Sequence, residues 1–163
     1  MSMNLVKGTG VIQYDPPRPG LTYRKDWWCI LKLNKEITRY YRWWLSYEKH
    51  IHLQSPSWDA HISIVRGEKP KPEFMEFWRK YDGQRVEFSY QHGIIRCDRS
   101  QRTDKRAAKA VGGDYYFIDV CCPLLDEIRA ELGLRTGYNF HFTVGRTYEY
   151  EARVPKGNNN VRR

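Results

Sequence analysis

The chain has 163 residues, with 28 Lys and Arg against 19 Asp and Glu for a formal net charge of +9, and 40% apolar and 15% aromatic residues. That length fits one domain with an ordinary core, and that apolar content excludes a disordered chain. No apolar run is long enough to span a bilayer, residues 1–10 lack the apolar stretch of a signal peptide, and the expected compartment is the cytoplasm; the surplus of cations favours anionic partners.

In chain order, residues 10–14 form a β-prone run that ends in the breaker cluster Asp15-Pro16-Pro17-Arg18-Pro19-Gly20. Residues 27–33 read as a strand. Asn34 then stands as an N-cap before Ile37, Tyr40, Tyr41, Trp44 and Leu45, whose spacing predicts a helix over 35–49. Residues 60–65 read as a strand. Behind Pro70 and Pro72, a second helix carries Phe74, Phe77, Trp78 and Tyr81 on one face. A turn at Asp82-Gly83 leads into a strand over 85–90, and Gly93 separates it from a partner at 94–97. Strand 115–121, a helix opened by Pro123 and stopped by Gly133, and strand 138–144 complete the pattern.

Two stretches differ in kind. Residues 99–109 crowd Arg99, Arg102, Lys105, Arg106 and Lys109 together, as a lid that draws in anions or as a plain solvated loop. The tail over 152–163 is basic and is expected to be mobile. Residues 1–151 are expected to be one domain. Of the four cysteines, Cys29 and Cys121 lie in apolar runs and read as buried thiols. The absence of a C-x-x-C pair argues against a cysteine zinc site. Intermixed strands and helices predict an α+β class with mostly antiparallel pairing.

Each half of the chain has a helix followed, after a loop, by a strand with the same short pattern: His61-Ile62-Ser63 and His141-Phe142-Thr143. Alternation places His61 and Ser63 on one strand face opposite Ile62 and Ile64, and His141 and Thr143 on one face opposite Phe142 and Val144. Imidazoles titrate near neutrality, so one can take a proton while the other gives one. Two of them, from separate strands, can flank a phosphate undergoing in-line displacement, with the hydroxyls donating to its non-bridging oxygens. Neither a metal nor a cofactor is needed for that chemistry. The competing reading is a pair of hydrogen-bonded sheet histidines.

The two motifs, 80 residues apart, resemble those of the 2H phosphoesterases. The longer strings, His61-Ile62-Ser63-Ile64-Val65-Arg66-Gly67-Glu68 and Asn139-Phe140-His141-Phe142-Thr143-Val144-Gly145-Arg146, are similar to the phage anti-CBASS branch, whose members destroy cyclic oligonucleotide immune signals. Ser63 stands where many members have Thr, which keeps the hydroxyl. The resemblance implies a bilobal fold with helices outside a central groove, His61 and His141 as the acid–base pair, and Ser63 and Thr143 as phosphate ligands. It also implies attack by a ribose 2′-hydroxyl on a 3′–5′ phosphate, and action in the cytoplasm of a host cell. The implied partner is a cyclic di- or oligonucleotide; RNA is a second candidate partner, and neither a membrane nor an obligate protein partner is expected.

Three further residues are substrate-binding candidates. Arg66 and Arg146 each lie five positions after their histidine, an odd offset that alternation alone would place on the far face, though strands often end or twist there; phosphate contact competes with a plain solvated charge. Tyr14 is a candidate base-stacking platform, with packing as the competing role. Two other functions fit the same sequence: a 2′,3′-cyclic phosphodiesterase or 2′–5′ RNA-processing enzyme of the same superfamily, and a non-catalytic single-strand RNA-binding domain supported by the charge and the aromatic content. His50, His52 and His92 lack the motif, and no metal site is expected at them.

Overall fold

A computed structural model describes residues 4–17, 26–56, 58, 60–99 and 114–147. Residues 100–113, which hold most of the basic segment, and the 152–163 tail lie outside the described residues. The described elements are β1 (Leu5–Tyr14), β2 (Trp28–Leu33), α1 (Lys35–Lys49), β3 (His61–Arg66), a 3₁₀ helix (Pro72–Phe77), β4 (Arg85–Gln91), β5 (Arg96–Arg99), β6 (Asp114–Cys121), α2 (Pro123–Glu131) and β7 (His141–Arg146). The protein is α+β, and its described strand pairings are antiparallel.

The strands run β4-β1-β2-β3-β7-β6-β5, and a further pairing of β4 with β6 closes six of them into a barrel. The barrel is not equally stitched all the way round. β1 pairs with β4 from Leu5↔Gln91 to Val11↔Arg85, and with β2 from Gly10↔Leu33 to Tyr14↔Cys29. By contrast, β3 meets β7 at the single pair Ile62↔Phe142, and β4 meets β6 at Ser89↔Cys121 and Tyr90↔Val120. Two well-laddered groups, β4-β1-β2-β3 and β7-β6-β5, are thus joined at two short seams.

Paired positions share a face, so the register identifies the core layer. Ile12, Leu31, Ile62, Phe142 and Ile118 follow one another across neighbouring strands, each at most 1% exposed. Burying such a side chain stabilises by about 1.5–3 kcal/mol. The β1 strand begins well before residue 10 because its glycines are required by the packing. A Cβ on Gly8 would stand 2.4 Å from Cζ of Phe88, and one on Gly10 would stand 2.7 Å from Cγ of Leu31. The strand therefore runs on through residues whose composition looks like a loop.

The α1 helix matches its sequence expectation, and the Asn34 side chain caps it by accepting from the Glu36 amide at 3.0 Å. It buries Thr38, Tyr41 and Leu45, and α2 buries Leu125, Ile128 and Arg129. The expected second helix forms only as the 3₁₀ helix, held by i→i+3 bonds such as Phe74 N to Lys71 O and Trp78 N to Met75 O. Arg79, at φ 72°, turns the chain out of any helical path, and the aromatic residues go to separate partners. Trp78 meets Tyr14 and Trp27, while the Tyr81 hydroxyl donates to Glu131 at 2.7 Å. A second correction concerns the thiols. Cys29 is buried and its thiol is pushed up to about 12 by that burial, but Cys121 is exposed and its neighbour Cys122 is the buried one. Cys121 pairs with Ser89, one step out of phase with the core pair Tyr90↔Val120. Among the described residues, no helix is long and apolar enough to cross a membrane.

Candidate functional site

The two motif strands are neighbours. Around Ile62↔Phe142, antiparallel register sets His61 level with Thr143 and Ser63 level with His141. All four lie on the face opposite the buried Ile62 and Phe142, and all four are half-buried. Residues directly opposite in a full ladder have Cβ atoms about 4.5–5.5 Å apart, and diagonal ones about 7–8 Å. The two imidazoles occupy one diagonal of this square and the two hydroxyls the other. Because the ladder is reduced to one pair here, the strands are free to diverge on either side of it.

The flanking strands extend the square into a band. Lys32 of β2 pairs with His61, and Ile30 with Ser63. On the other side, Phe117 of β6 pairs with Thr143, and Asp119 with His141. The rings are braced by aromatic edges: Trp28 against His61 at 5.7 Å between centroids, and Phe117 against His141 at 4.6 Å.

The His141 Nδ1 lies 3.0 Å from the Asn139 carbonyl oxygen, which can only accept, so the contact is a hydrogen bond in the tautomer that carries the proton on Nδ1 and leaves Nε2 as the other ring nitrogen. Asn139 also donates to Asp119 through Nδ2 at 3.1 Å, and Arg96 pairs with the same carboxylate at 3.0 Å while its guanidinium lies 5.0 Å from the Phe117 ring centroid. The two histidines therefore have unlike cross-strand neighbours, Lys32 beside His61 and Asp119, itself ion-paired to Arg96, beside His141.

Arg66 and Arg146 fall on the same face as their histidines, for a reason that alternation does not contain. The β2–β3 register jumps from Ile30↔Ser63 to Cys29↔Val65, leaving Ile64 as an extra residue. The β6–β7 register jumps likewise from Phe117↔Thr143 to Tyr116↔Gly145, leaving Val144 extra. Each bulge turns two successive residues inward: Ile64 and Val65 are buried, as are Val144 and Gly145. The parity is reset, and Arg66 comes level with Trp28 and Arg146 with Tyr115, whose hydroxyl accepts from Arg146 Nη1 at 3.3 Å. Gly145 is the only residue small enough for its place, since a Cβ there would lie 2.6 Å from the Gln54 carbonyl.

Tyr14 is not part of this band. It pairs with Cys29 on the core face, is 4% exposed, and packs edge-on against Trp78 at 4.9 Å. Its hydroxyl accepts from the Tyr81 amide at 3.4 Å, and burial holds the phenol well above its ordinary range. Packing is the role this position gives it, with no ring face open for a base. Lys32, Asp119 and Arg96, by contrast, were not singled out from the sequence. The alternation of 28–33 put Lys32 opposite the apolar Leu31 and Leu33, but only strand pairing tells that it borders a histidine.

Among the described residues, no three His, Cys, Asp or Glu side chains are grouped so as to hold a metal ion. No family model, curated protein or solved structure matches the chain.

Proposed function

We propose that the protein is a metal-independent phosphodiesterase of the 2H type that cleaves 3′–5′ bonds of cyclic di- or oligonucleotide immune signals, as a phage counter-defence would require. The observation that carries this reading is the gathering of His61, Ser63, His141 and Thr143 on one outward face of two adjacent strands, away from the core. The two laddered groups meeting at β3–β7 are read as two lobes, and the seam between them as the floor of the substrate groove.

The proposed reaction uses the two unlike settings. The neutral His61 ring takes the proton of a ribose 2′-hydroxyl as that oxygen attacks the adjacent phosphorus. His141, protonated on both nitrogens, keeps Nδ1–H on Asn139 and gives its Nε2–H to the departing 5′-oxygen. The P–O5′ bond breaks, leaving a 2′,3′-cyclic phosphate and a free 5′-hydroxyl; water then opens the ring with the proton roles exchanged. We take His141 as the acid and His61 as the base, with Asp119 and Lys32 as the cross-strand neighbours that make the two positions unlike. Ser63 and Thr143 donate to the non-bridging oxygens as charge builds on them, and Lys32, Arg66 and Arg146 attract the flanking phosphates.

The test is incubation with 3′,3′-cyclic dinucleotides in excess EDTA. Cleavage lost in both His61→Ala and His141→Ala is expected. Cleavage confined to linear 2′,3′-cyclic ends would move the substrate to the RNA-processing branch of the superfamily. A 2′-deoxy substrate should resist cutting, and its normal cutting would replace the ribose nucleophile with water. The non-catalytic RNA-binding reading draws on a different feature, the exposed ladder Tyr40, Trp43 and Tyr47 on α1, in which Trp43 and Tyr47 stack at 5.5 Å with planes 8° apart. Single-strand binding without turnover, unchanged in both histidine variants, would favour it.

A further inference from the structure

The paired bulges have a common support. The extra residue of a bulge leaves its backbone groups outside the regular ladder, and a buried carbonyl so displaced needs a donor from elsewhere. In both halves that donor is a guanidinium from a helix. Arg129 of α2 donates through Nη1 to the Ile64 carbonyl at 2.8 Å, and Arg42 of α1 donates through Nη1 to the Val144 carbonyl at 2.9 Å. The pinning is crosswise. The helix of the second half holds the bulge of the first motif strand, and the helix of the first half holds the bulge of the second.

We infer that Arg42 and Arg129 are positioning residues whose hydrogen bonds to the two bulge carbonyls turn Arg146 and Arg66 onto the face shared by the two histidines. Without the bulge, position 66 or 146 falls on the core side of its strand. With it, each arginine lies on the outward face, beyond the hydroxyl of its own motif. Arg129 is itself heavily braced. It is 1% exposed, it forks onto Glu68 at 2.8 and 2.7 Å, its Nε donates to the Arg135 carbonyl at 2.7 Å, and Tyr138 covers it at 3.9 Å. A buried arginine so constrained presents one fixed hydrogen to Ile64. Arg42 has the lighter setting and is the better site for substitution.

This inference rests on the proposed phosphodiesterase for its binding arm but not for its structural arm. The structural arm is the cross-strand proton contact pattern of β6 and β7 in Arg42→Met, read by NMR. The expected result is loss of the Tyr116↔Gly145 register with the contacts around Ile118↔Phe142 retained. An unchanged register overturns the inference, whatever the protein binds.

The binding arm titrates a non-hydrolysable phosphorothioate cyclic dinucleotide. Arg42→Met and Arg146→Ala should each weaken it about tenfold, the size of one charge-assisted hydrogen bond, and the double variant should be no weaker than either single one. Arg42→Met combined with Arg66→Ala should instead multiply the two losses, because those changes lie in different halves. Multiplication in the first pair, or its absence in the second, contradicts the assignment. Should Arg42→Met fail to melt as a folded protein, Arg129→Lys paired with Arg66→Ala repeats both arms on the other bulge. A wild-type protein that ignores the dinucleotide while Arg42→Met still loses its register would refute the proposed substrate and leave the pin standing.

Discussion

The strand–helix–strand units β2-α1-β3 and β6-α2-β7 are built alike and charged differently. Each carries a His-x-Ser/Thr motif on its last strand, a one-residue bulge directly after it, and an arginine beyond the bulge on the site face. Each also sends an arginine from its helix to the bulge of the other unit. At the level of the histidines the two differ in charge, with Lys32 bordering His61 and Asp119 bordering His141. Likeness gives two imidazoles in equivalent places around a diad. In the proposed phosphodiesterase, unlikeness is what the proton relay needs, because acid and base cannot be in the same state at the same moment. The backbone supplies the near-symmetry, and two side chains on the flanking strands depart from it.

The comparison can be broken most severely at the histidines. His61→Ala and His141→Ala should each lower cyclic dinucleotide turnover by about 10²–10⁴, as measured by product release; a large loss in only one would mean the halves are not partners. The seam between them is the next largest effect. Phe142→Ala should cost about 3–5 kcal/mol in denaturant unfolding, and Ile62→Ala about 2–5 kcal/mol, with the double variant departing from the sum because the residues touch.

Sharpening the unlikeness gives a smaller change. Asp119→Lys, which makes both halves alike at that level and removes the bonds Asp119 accepts from Asn139 and Arg96, should lower kcat about tenfold, the scale of one such bond. An unaltered rate would leave the two roles unassigned.

The cross-unit brace makes a prediction in pH. The Arg129 fork onto Glu68 holds that carboxyl below its ordinary value. Its folded value thus lies below the unfolded one, near 4.3. The stability it supplies is present above that unfolded value and is lost as pH falls through the depressed one. Glu68→Gln should flatten this acid limb of a Tm-against-pH curve and leave its neutral limb parallel to wild type. The smallest effect is local to one unit: Asn34→Ala, which removes the α1 cap, should cost about 1 kcal/mol.

Much of this was legible along the chain, because helix periodicity and strand alternation are local signals. The 35–49 helix and the two motif strands follow from them, as does the outward direction of each histidine. What was not legible depends on partners distant in sequence. Whether Lys32 or Asp119 borders a histidine is decided by strand pairing. The side that Arg66 and Arg146 occupy is decided by bulges that leave no mark in composition. Tyr14, beside a proline-rich turn, looks like a surface aromatic until β1 and β2 close over it and Trp78 packs on its ring. The 74–81 aromatics fit a helical face by spacing, yet Arg79 in the left-handed region sends them to different neighbours.

If a single phosphate is held between the two units, a crystal structure with a phosphorothioate-linked cyclic dinucleotide will have one phosphorus over the β3–β7 seam, its non-bridging atoms within hydrogen-bond reach of Ser63 and Thr143, and the imidazoles of His61 and His141 on opposite sides of it. A ligand bound along the α1 aromatics, or one whose phosphates touch neither imidazole, would contradict that arrangement.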